Sequence, residues 1–192
     1  MRHGREIDDQ FWPVKVVKFD LDSVDRFGTQ FTGEIMSSWR AGFNDHRKTS
    51  EGCLMDTQLE SFLNMMGEAE RAGGRVLHEL TQQAQSLELR ELLKKVAHDE
   101  GYYAGELAAH VRRLGGSASN KIGDFVEKVR AVGDFKGKLE LLNRGQRWVI
   151  RKIDEYVPSI NDPHLHAFLT VMAKGHHVNI GALEDALKEG LL

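Results

Sequence analysis

The chain has 192 residues, of which 41% are hydrophobic and 29% are charged, and its formal net charge is −3. This length is sufficient for one domain with a sizeable core and a small appendage, and the composition excludes a disordered chain. The slightly negative charge gives no electrostatic basis for binding nucleic acid.

The expected location is the cytoplasm. No apolar run approaches the roughly 20 residues that span a bilayer, and the opening MRHGREIDDQFW lacks the apolar segment of a secretory signal. Cys53 is the only cysteine, which excludes internal disulfides and fits a reducing compartment. We therefore expect a soluble cytoplasmic protein that binds neither a membrane nor nucleic acid.

Residues 1–55 are predicted to form an N-terminal extension, and residues 56–192 the main domain. The segment VKVVKFDLD (14–22) has the composition of an extended arm. Apolar residues then recur at steps of three or four, which predicts a short amphipathic helix; they are Phe27, Phe31, Ile35 and Trp39.

Two long helical patterns follow the extension. The first begins at DTQLE, where Thr57 and Glu60 have the spacing of a capping box, and it runs to about residue 84. The second runs from about residue 87 to Leu114 and stops before Gly115 and Gly116, which are typical of a helix C-terminus.

Two further long helices are predicted after a connection over residues 115–136, which contains the short helical piece DFVEKVRAV. The third long helix spans about residues 137–157 and ends near Pro158. The fourth opens at NDPHL, with Asp162 as N-cap and Pro163 at the first helical position, and it runs to about residue 189.

The lengths of the connections predict the topology. The first and third links are short, so each joins an antiparallel helical hairpin, whereas the second is long enough to cross the bundle. We therefore predict an all-α four-helix bundle made of two antiparallel hairpins with one long crossover.

Each long helix has an apolar seam with one main polar interruption. Glu70 and Glu100 each lie about fourteen residues from the first turn, and Gln146 and His176 are similarly spaced around the last one. Antiparallel pairing places the members of each pair at one height, so we predict that all four meet at mid-bundle. Two seams continue to a second residue one turn later, which is Tyr103 after Glu100 and Asn179 after His176.

This pattern resembles the ferritin-like superfamily of rubrerythrins, bacterioferritins and related carboxylate-bridged di-iron proteins. The stretches GEAERAGGRVL and LLNRGQRWVIRKI also resemble a poorly characterised bacterial branch of that superfamily. The resemblance covers about residues 56–189 and implies a ferritin-like bundle with a metal site at its centre. The family motif is one Glu from each of two helices and a Glu-x-x-His from each of the other two.

The chain departs from this motif in four places. Glu70 and Glu100 stand where carboxylate ligands are expected, whereas the other candidates carry changed side chains: Tyr103 replaces a His, Gln146 a Glu, His176 a Glu and Asn179 a His. Two carboxylates and one imidazole suit one divalent ion better than two. We predict one non-haem ion, iron or alternatively manganese or zinc, with a role in dioxygen, peroxide or iron chemistry.

A metal-free interpretation stays open. In it, His176 as imidazolium and Gln146 satisfy the two carboxylates, and the protein is a ferritin-like structural or partner-binding module with a degenerate polar core. Gln146 and Asn179 are then residues that orient their neighbours, and Tyr103 is a core aromatic residue with a hydroxyl partner. In either interpretation we expect a homodimer or a higher homo-oligomer.

Three glycines near the predicted site level have two interpretations, and two histidines are expected to lie outside the main site. Gly73, Gly74 and Gly145 serve either close helix packing or the binding of a small ligand such as dioxygen or peroxide. His177 is expected on the outside of its helix, and His110 is a weaker site candidate.

Overall fold

The computed structural model describes residues 55–191, and within this range the chain is all-α. The arm and the short helix predicted before residue 55 lie outside the described residues. The described residues form five α-helices and one 3₁₀ turn, with these bounds: α1 Thr57–Gln83, α2 Leu87–Arg113, α3 Phe125–Arg130, α4 Phe135–Tyr156, the 3₁₀ turn Val157–Ser159, and α5 Pro163–Lys188.

The four long helices confirm the sequence prediction to within about two residues at each end. Residues 84–86 join α1 to α2, and residues 157–162 join α4 to α5, so both pairs are antiparallel hairpins. The connection between α2 and α4 is the long one, and α3 lies within it. In residues 55–191, none of the helices is both long and apolar enough to cross a membrane.

Two helix ends follow the predicted capping chemistry. The carboxylate of Asp162 accepts the N–H of Leu165, with Pro163 at the first helical position of α5. At the end of α2, Gly115 has φ 86°, and the N–H of Gly116 donates to the carbonyl of Val111. This is a Schellman motif, which needs a residue that tolerates positive φ.

The capping box predicted for the start of α1 is wrong. The N-cap is Asp56, whose carboxylate accepts the N–H of Gln58, and Thr57 is already the first helical residue. Glu60 does not reach back to the cap, because its carboxylate accepts the N–H of Ser117 from the crossover instead. A charged carboxylate at the cap also interacts favourably with the positive end of the helix dipole.

The polar level divides the hydrophobic core into two clusters. On every long helix, the polar seam residue lies between the residues of one cluster and those of the other. The cluster nearer the α1–α2 turn includes Val76, Leu80, Leu93, Leu139 and Leu183. The cluster at the other end includes Leu63, Leu107, Ile153, Leu169 and Met172. Apolar packing on both sides therefore holds the central level in register.

A polar stripe on the outer face of α1 fixes the path of the crossover. Its members are Glu60, Asn64 and Glu68, at steps of four residues. Asn64 donates to the carbonyl of Ser117 (2.9 Å) and accepts the N–H of Ser119 (2.7 Å), while Glu68 accepts the hydroxyl of Ser119. These bonds satisfy backbone groups of a segment that forms no regular structure of its own.

We expect Asn64→Ala to destabilise the protein by about 1–2 kcal/mol, because it removes two hydrogen bonds to the backbone of the crossover. Urea unfolding measures this change. Asn120→Ala, at an exposed position of the same segment, is the matched control and should change the free energy of unfolding by less than about 0.5 kcal/mol. Equal effects of the two substitutions would contradict the assigned role of Asn64.

Candidate metal centre

Three ionisable side chains from three helices converge at the centre of the bundle. Glu70 of α1, Glu100 of α2 and His176 of α5 each offer one ligand atom, and these atoms all lie within 4.8 Å of one another. The three residues are 0%, 3% and 0% exposed. Gln146 of α4 joins them by donating to Oε1 of Glu100 (3.4 Å). The predicted meeting of the four polar interruptions is therefore confirmed.

The closeness of α1 to α2 at this level depends on a glycine. A Cβ atom on Gly73 would lie 2.4 Å from Oε2 of Glu100, nearer than any non-bonded contact allows. Gly73 therefore provides the space in which the Glu100 carboxylate lies. Gly73 was predicted to serve either close helix packing or the binding of a small ligand, and the structure supports close packing around Glu100.

Several polar atoms of the cluster have no hydrogen-bond partner in the protein. They are both carboxylate oxygens of Glu70, both ring nitrogens of His176 and Oε1 of Gln146. Nε2 of His176 lies 3.3 Å from Oε1 of Glu70, but the two groups lack the alignment that a hydrogen bond requires. Buried polar atoms without partners are costly, and a cation would satisfy the oxygens and one ring nitrogen together.

Burial changes the protonation of all three groups. It raises the pKa of Glu70 to about 8, and burial together with the charge of Glu70 raises the pKa of Glu100 well above its usual range. Burial lowers the pKa of His176, although the charge of Glu100 opposes this change. His176 is therefore a neutral imidazole at pH 7, the form that binds metal ions. A compensating imidazolium, as the metal-free interpretation requires, is disfavoured.

Tyr103 lies beside the imidazole, where its ring centroid is 5.3 Å from that of His176. The ring centroid of Phe168 lies 6.4 Å from that of Tyr103. Burial raises the pKa of the Tyr103 hydroxyl, which is therefore protonated at neutral pH. A Cβ atom on Gly175 would lie 1.9 Å from the hydroxyl oxygen, so the tyrosine occupies the space that this glycine leaves open.

We expect Gly175→Ala to destabilise the protein by about 1–3 kcal/mol, because the new methyl group collides with the Tyr103 hydroxyl. Adding Tyr103→Phe, which removes that oxygen, should recover most of the loss. Thermal unfolding of the two single variants and the double variant forms a double-mutant cycle. Strictly additive effects would contradict the contact.

Asn179 faces α2 at the edge of the cluster. Its amide donates to Oδ2 of Asp99 (3.1 Å), the residue before Glu100. The structure thus places the predicted candidate Asn179 next to the site and does not bring it among the three converging side chains. The bond holds α5 against α2 close to both Glu100 and His176.

Two histidines that the sequence analysis considered, His177 and His110, lie apart from the central cluster. His177 is exposed on the outside of α5. His110 is buried, but it lies near the end of α2, where Nδ1 is 3.1 Å from Nη2 of Arg113 and the ring packs against Phe168. His110 therefore belongs to the end of the bundle and not to the central cluster.

Two polar residues of this region were not predicted. Asp99 lies off the α2 seam, so no periodicity in the sequence indicates it. Its connection to the site is the hydrogen bond from Asn179. Asn143 is buried on α4 one turn before Gln146, and its Oδ1 has no hydrogen-bond partner. The three-residue step from Asn143 to Gln146 is the sequence signal that could have identified it.

A cavity of about 360 Å³ connects the cluster with the surface. Its lining includes the buried residues Glu100 and Gln146 and the exposed residues Asp124 and Lys128. The cavity lies where α1, α3 and α4 meet. It reaches the central level on the side of Glu100 and Gln146.

A family model described as a domain of unknown function (DUF6306) matches residues 57–185. The match starts at the first residue of α1 and ends within α5, so it includes every residue of the central cluster. Neither the curated proteins nor the solved structures contain a match to the chain.

Proposed function

The chain belongs to this family of unknown function, and we propose that its bundle binds one divalent metal ion through Glu70, Glu100 and His176. The observation that carries the proposal is the buried convergence of these three side chains, in which both oxygens of Glu70 and both ring nitrogens of His176 have no hydrogen-bond partner. Among residues 55–191, no other group of three histidine, cysteine, aspartate or glutamate side chains converges in this way.

Charge balance favours a single divalent ion. Two carboxylates neutralise two positive charges, and the imidazole adds none, so the filled site would be neutral in a buried core. A second divalent ion would leave a net positive charge that none of the four central side chains offsets. Gln146 can add its amide oxygen, whereas Asn179 is engaged with Asp99.

The ligand set is rich in oxygen and has one imidazole, which suits iron and manganese as well as zinc. We propose iron as the resident metal, within a ferritin-like bundle. Two antiparallel hairpins, a long crossover and a central site with residues from all four long helices support that assignment. A bound iron ion would supply a redox centre for dioxygen or peroxide.

The residues around this centre have distinct roles in the proposal. Glu70 and Glu100 provide charge, and His176 provides a neutral nitrogen donor. Gln146 holds Glu100 by its amide, and the ring of Tyr103 covers the imidazole. The apolar clusters on either side separate this level from the two ends of the bundle.

Elemental analysis of protein purified without a histidine tag tests the proposal. We expect about one ion per chain after growth with iron or manganese. A value near zero after both supplements would overturn it and favour the alternative, a metal-free bundle in which protonated carboxyl groups satisfy the core and the protein serves as a structural or partner-binding module.

A further inference from the structure

A buried histidine outside the central cluster lies where the end of α2 meets the start of α5. His110, in the last turn of α2, is 6% exposed, and its ring packs against Phe168 of α5 with 5.2 Å between the ring centroids. Its Nδ1 lies 3.1 Å from Nη2 of Arg113. A guanidinium group can only donate, so Nδ1 accepts this hydrogen bond and carries no proton. The contact therefore requires a neutral ring with its proton on Nε2.

The same guanidinium group holds the first turn of α5. Nη1 and Nη2 of Arg113 donate to Oδ2 and Oδ1 of Asp162, at 2.9 and 2.8 Å, and this two-point pairing fixes both groups in one orientation. Oδ1 of Asp162 also accepts the N–H of Leu165 (2.7 Å) as the N-cap of α5. A chain of hydrogen bonds thus runs from His110 through Arg113 and Asp162 to the α5 backbone. We call these three side chains the end clamp.

The surroundings of His110 oppose a second proton on its ring. Burial is the largest cause that lowers the pKa of His110, and the charge of Arg113 on α2 acts in the same direction. Two further ionisable groups act on the ring from the start of α5, where Asp162 favours the charged form and His164 opposes it. The ring is therefore neutral at pH 7, as the bond from Arg113 requires.

Acid reverses the chemistry of one atom in the end clamp. A proton on Nδ1 of His110 turns the acceptor into a donor and places an imidazolium against the guanidinium group of Arg113, so the hydrogen bond is lost and the two cations repel. Burial alone would raise the pKa of Asp162, but the bonds from Arg113 and Leu165 outweigh it and hold that pKa below its usual range. Asp162 therefore stays ionised and paired with Arg113, and separation of the pair from His110 also moves the cap of α5.

We propose that the end clamp is an acid-sensitive switch, in which protonation of His110 releases the first turn of α5 from the end of α2 and exposes Phe168. The neutral ring contributes its full stability above the usual histidine pKa near 6.5. This contribution is lost as the pH falls below that value, because the open end binds a proton that the closed end disfavours. The inference goes beyond the proposed metal site and uses none of the residues of the central cluster.

Amide hydrogen exchange of the full-length chain, followed by NMR at about pH 7 and about pH 5, tests the switch. We expect the protection factor of the Leu165 amide, which corrects for the intrinsic effect of pH on exchange, to fall at least about fivefold. One proton changes an opening equilibrium by up to about tenfold per pH unit, and the interval includes the usual histidine pKa.

The amide of Gly137 is the matched reference, because it donates to the N-cap Asp134 of α4 at 2.7 Å, the same distance as at the cap of α5. Its protection factor should change by less than about twofold. An equal fall at Gly137 and Leu165 would show that the whole bundle loosens, which would overturn the proposal. Constant protection at Leu165 would overturn it as well.

Two variants assign the effect to one ring. His110→Asn offers an amide oxygen that can accept from Arg113 and does not titrate, so protection at Leu165 should be the same at both pH values to within about twofold. His164→Ala removes the exposed histidine at the start of α5 and should keep the fall seen in the parent. A fall that persists in His110→Asn, or disappears in His164→Ala, would assign the effect to another group and overturn the proposal.

Ring nitrogen NMR of the parent protein keeps the test decisive if His110→Asn does not fold. We expect Nδ1 of His110 to be the unprotonated ring nitrogen at pH 7, and we expect the ring to titrate with a midpoint below 6.5. A proton on Nδ1 at pH 7, or a midpoint at or above 6.5, would contradict the end clamp.

Discussion

The substitution His176→Ala is expected to reduce bound metal from about one ion per chain to near zero, whereas His177→Ala should leave the metal content unchanged. His176 is fully buried, with a ring nitrogen 3.3 Å from a Glu70 oxygen, and His177 is exposed on the same helix. Loss of a direct ligand should weaken affinity by roughly 10²-fold or more, because even residues that only orient ligands contribute 10–100-fold.

Isothermal titration of metal-free protein with Fe²⁺ under anaerobic conditions, or with Mn²⁺ in air, measures this change. The adjacent histidine is a close control, since both substitutions remove one imidazole from α5. If both variants bind metal as the parent does, His176 is not a ligand. If both lose it equally, the effect comes from α5 as a whole and not from the cluster.

The second large effect concerns pH. Without metal, the free energy of unfolding should fall by at least about 1 kcal/mol between about pH 7 and about pH 8.5. Burial raises the pKa of Glu70 to about 8, so the folded protein keeps a proton that the unfolded chain has already lost. This contribution to stability is complete below the unfolded pKa near 4.5 and is lost as the pH rises through 8. Glu100 acts in the same direction.

The interval starts at about pH 7 because His176 acts in the opposite direction at lower pH. Its pKa is lowered by burial, so stability rises as the pH increases through the usual histidine range near 6.5. Urea unfolding in the presence of a chelator measures the slope. Glu70→Gln should reduce this slope, because the amide has almost the same shape and does not titrate. A parent protein whose stability is constant or rises over this interval would contradict the assigned protonation.

Saturating metal should remove this loss of stability at high pH. The ion replaces the protons on the carboxylates, so metal affinity increases as the pH rises. Over the same interval the metal-free protein loses stability. Glu70 therefore connects the two predictions. Burial raises its pKa, and the buried carboxylate must be neutralised either by a proton or by a cation.

The sequence alone predicts the long helices and the central level well. Seam positions repeat every three or four residues, and the polar interruptions Glu70, Glu100, Gln146 and His176 stand out against them. Their common height along the bundle axis followed from counting residues outward from the short turn of each hairpin. These features depend on local periodicity and on the fixed rise per residue of a helix, and both can be read from residue numbers.

Contacts between helices could not be predicted in the same way. The direction of the Asn179 amide toward Asp99 depends on how α5 is rotated against α2, which seam counting leaves undetermined. The contact between Gly175 and Tyr103 depends on the distance between the same helices. Both are properties of packing, where shifts smaller than one residue step decide which atoms meet.

The start of α1 and the crossover show a third kind of difference. Thr57 and Glu60 have the spacing of a capping box, but Asp56 is the better acceptor at the cap, and Glu60 is used by the N–H of Ser117. That partner lies 57 residues away in sequence. A local motif was therefore overridden by a long-range hydrogen bond that also fixes the path of the crossover.

The most direct test of the metal centre is a crystal structure of iron-loaded protein with diffraction data collected on both sides of the iron absorption edge. We predict one anomalous peak per chain within about 2.0–2.3 Å of a carboxylate oxygen of Glu70, a carboxylate oxygen of Glu100 and one ring nitrogen of His176. Two peaks would contradict the single-ion site. A map with no peak among these residues, in crystals of protein that had been saturated with iron, would contradict the metal centre itself.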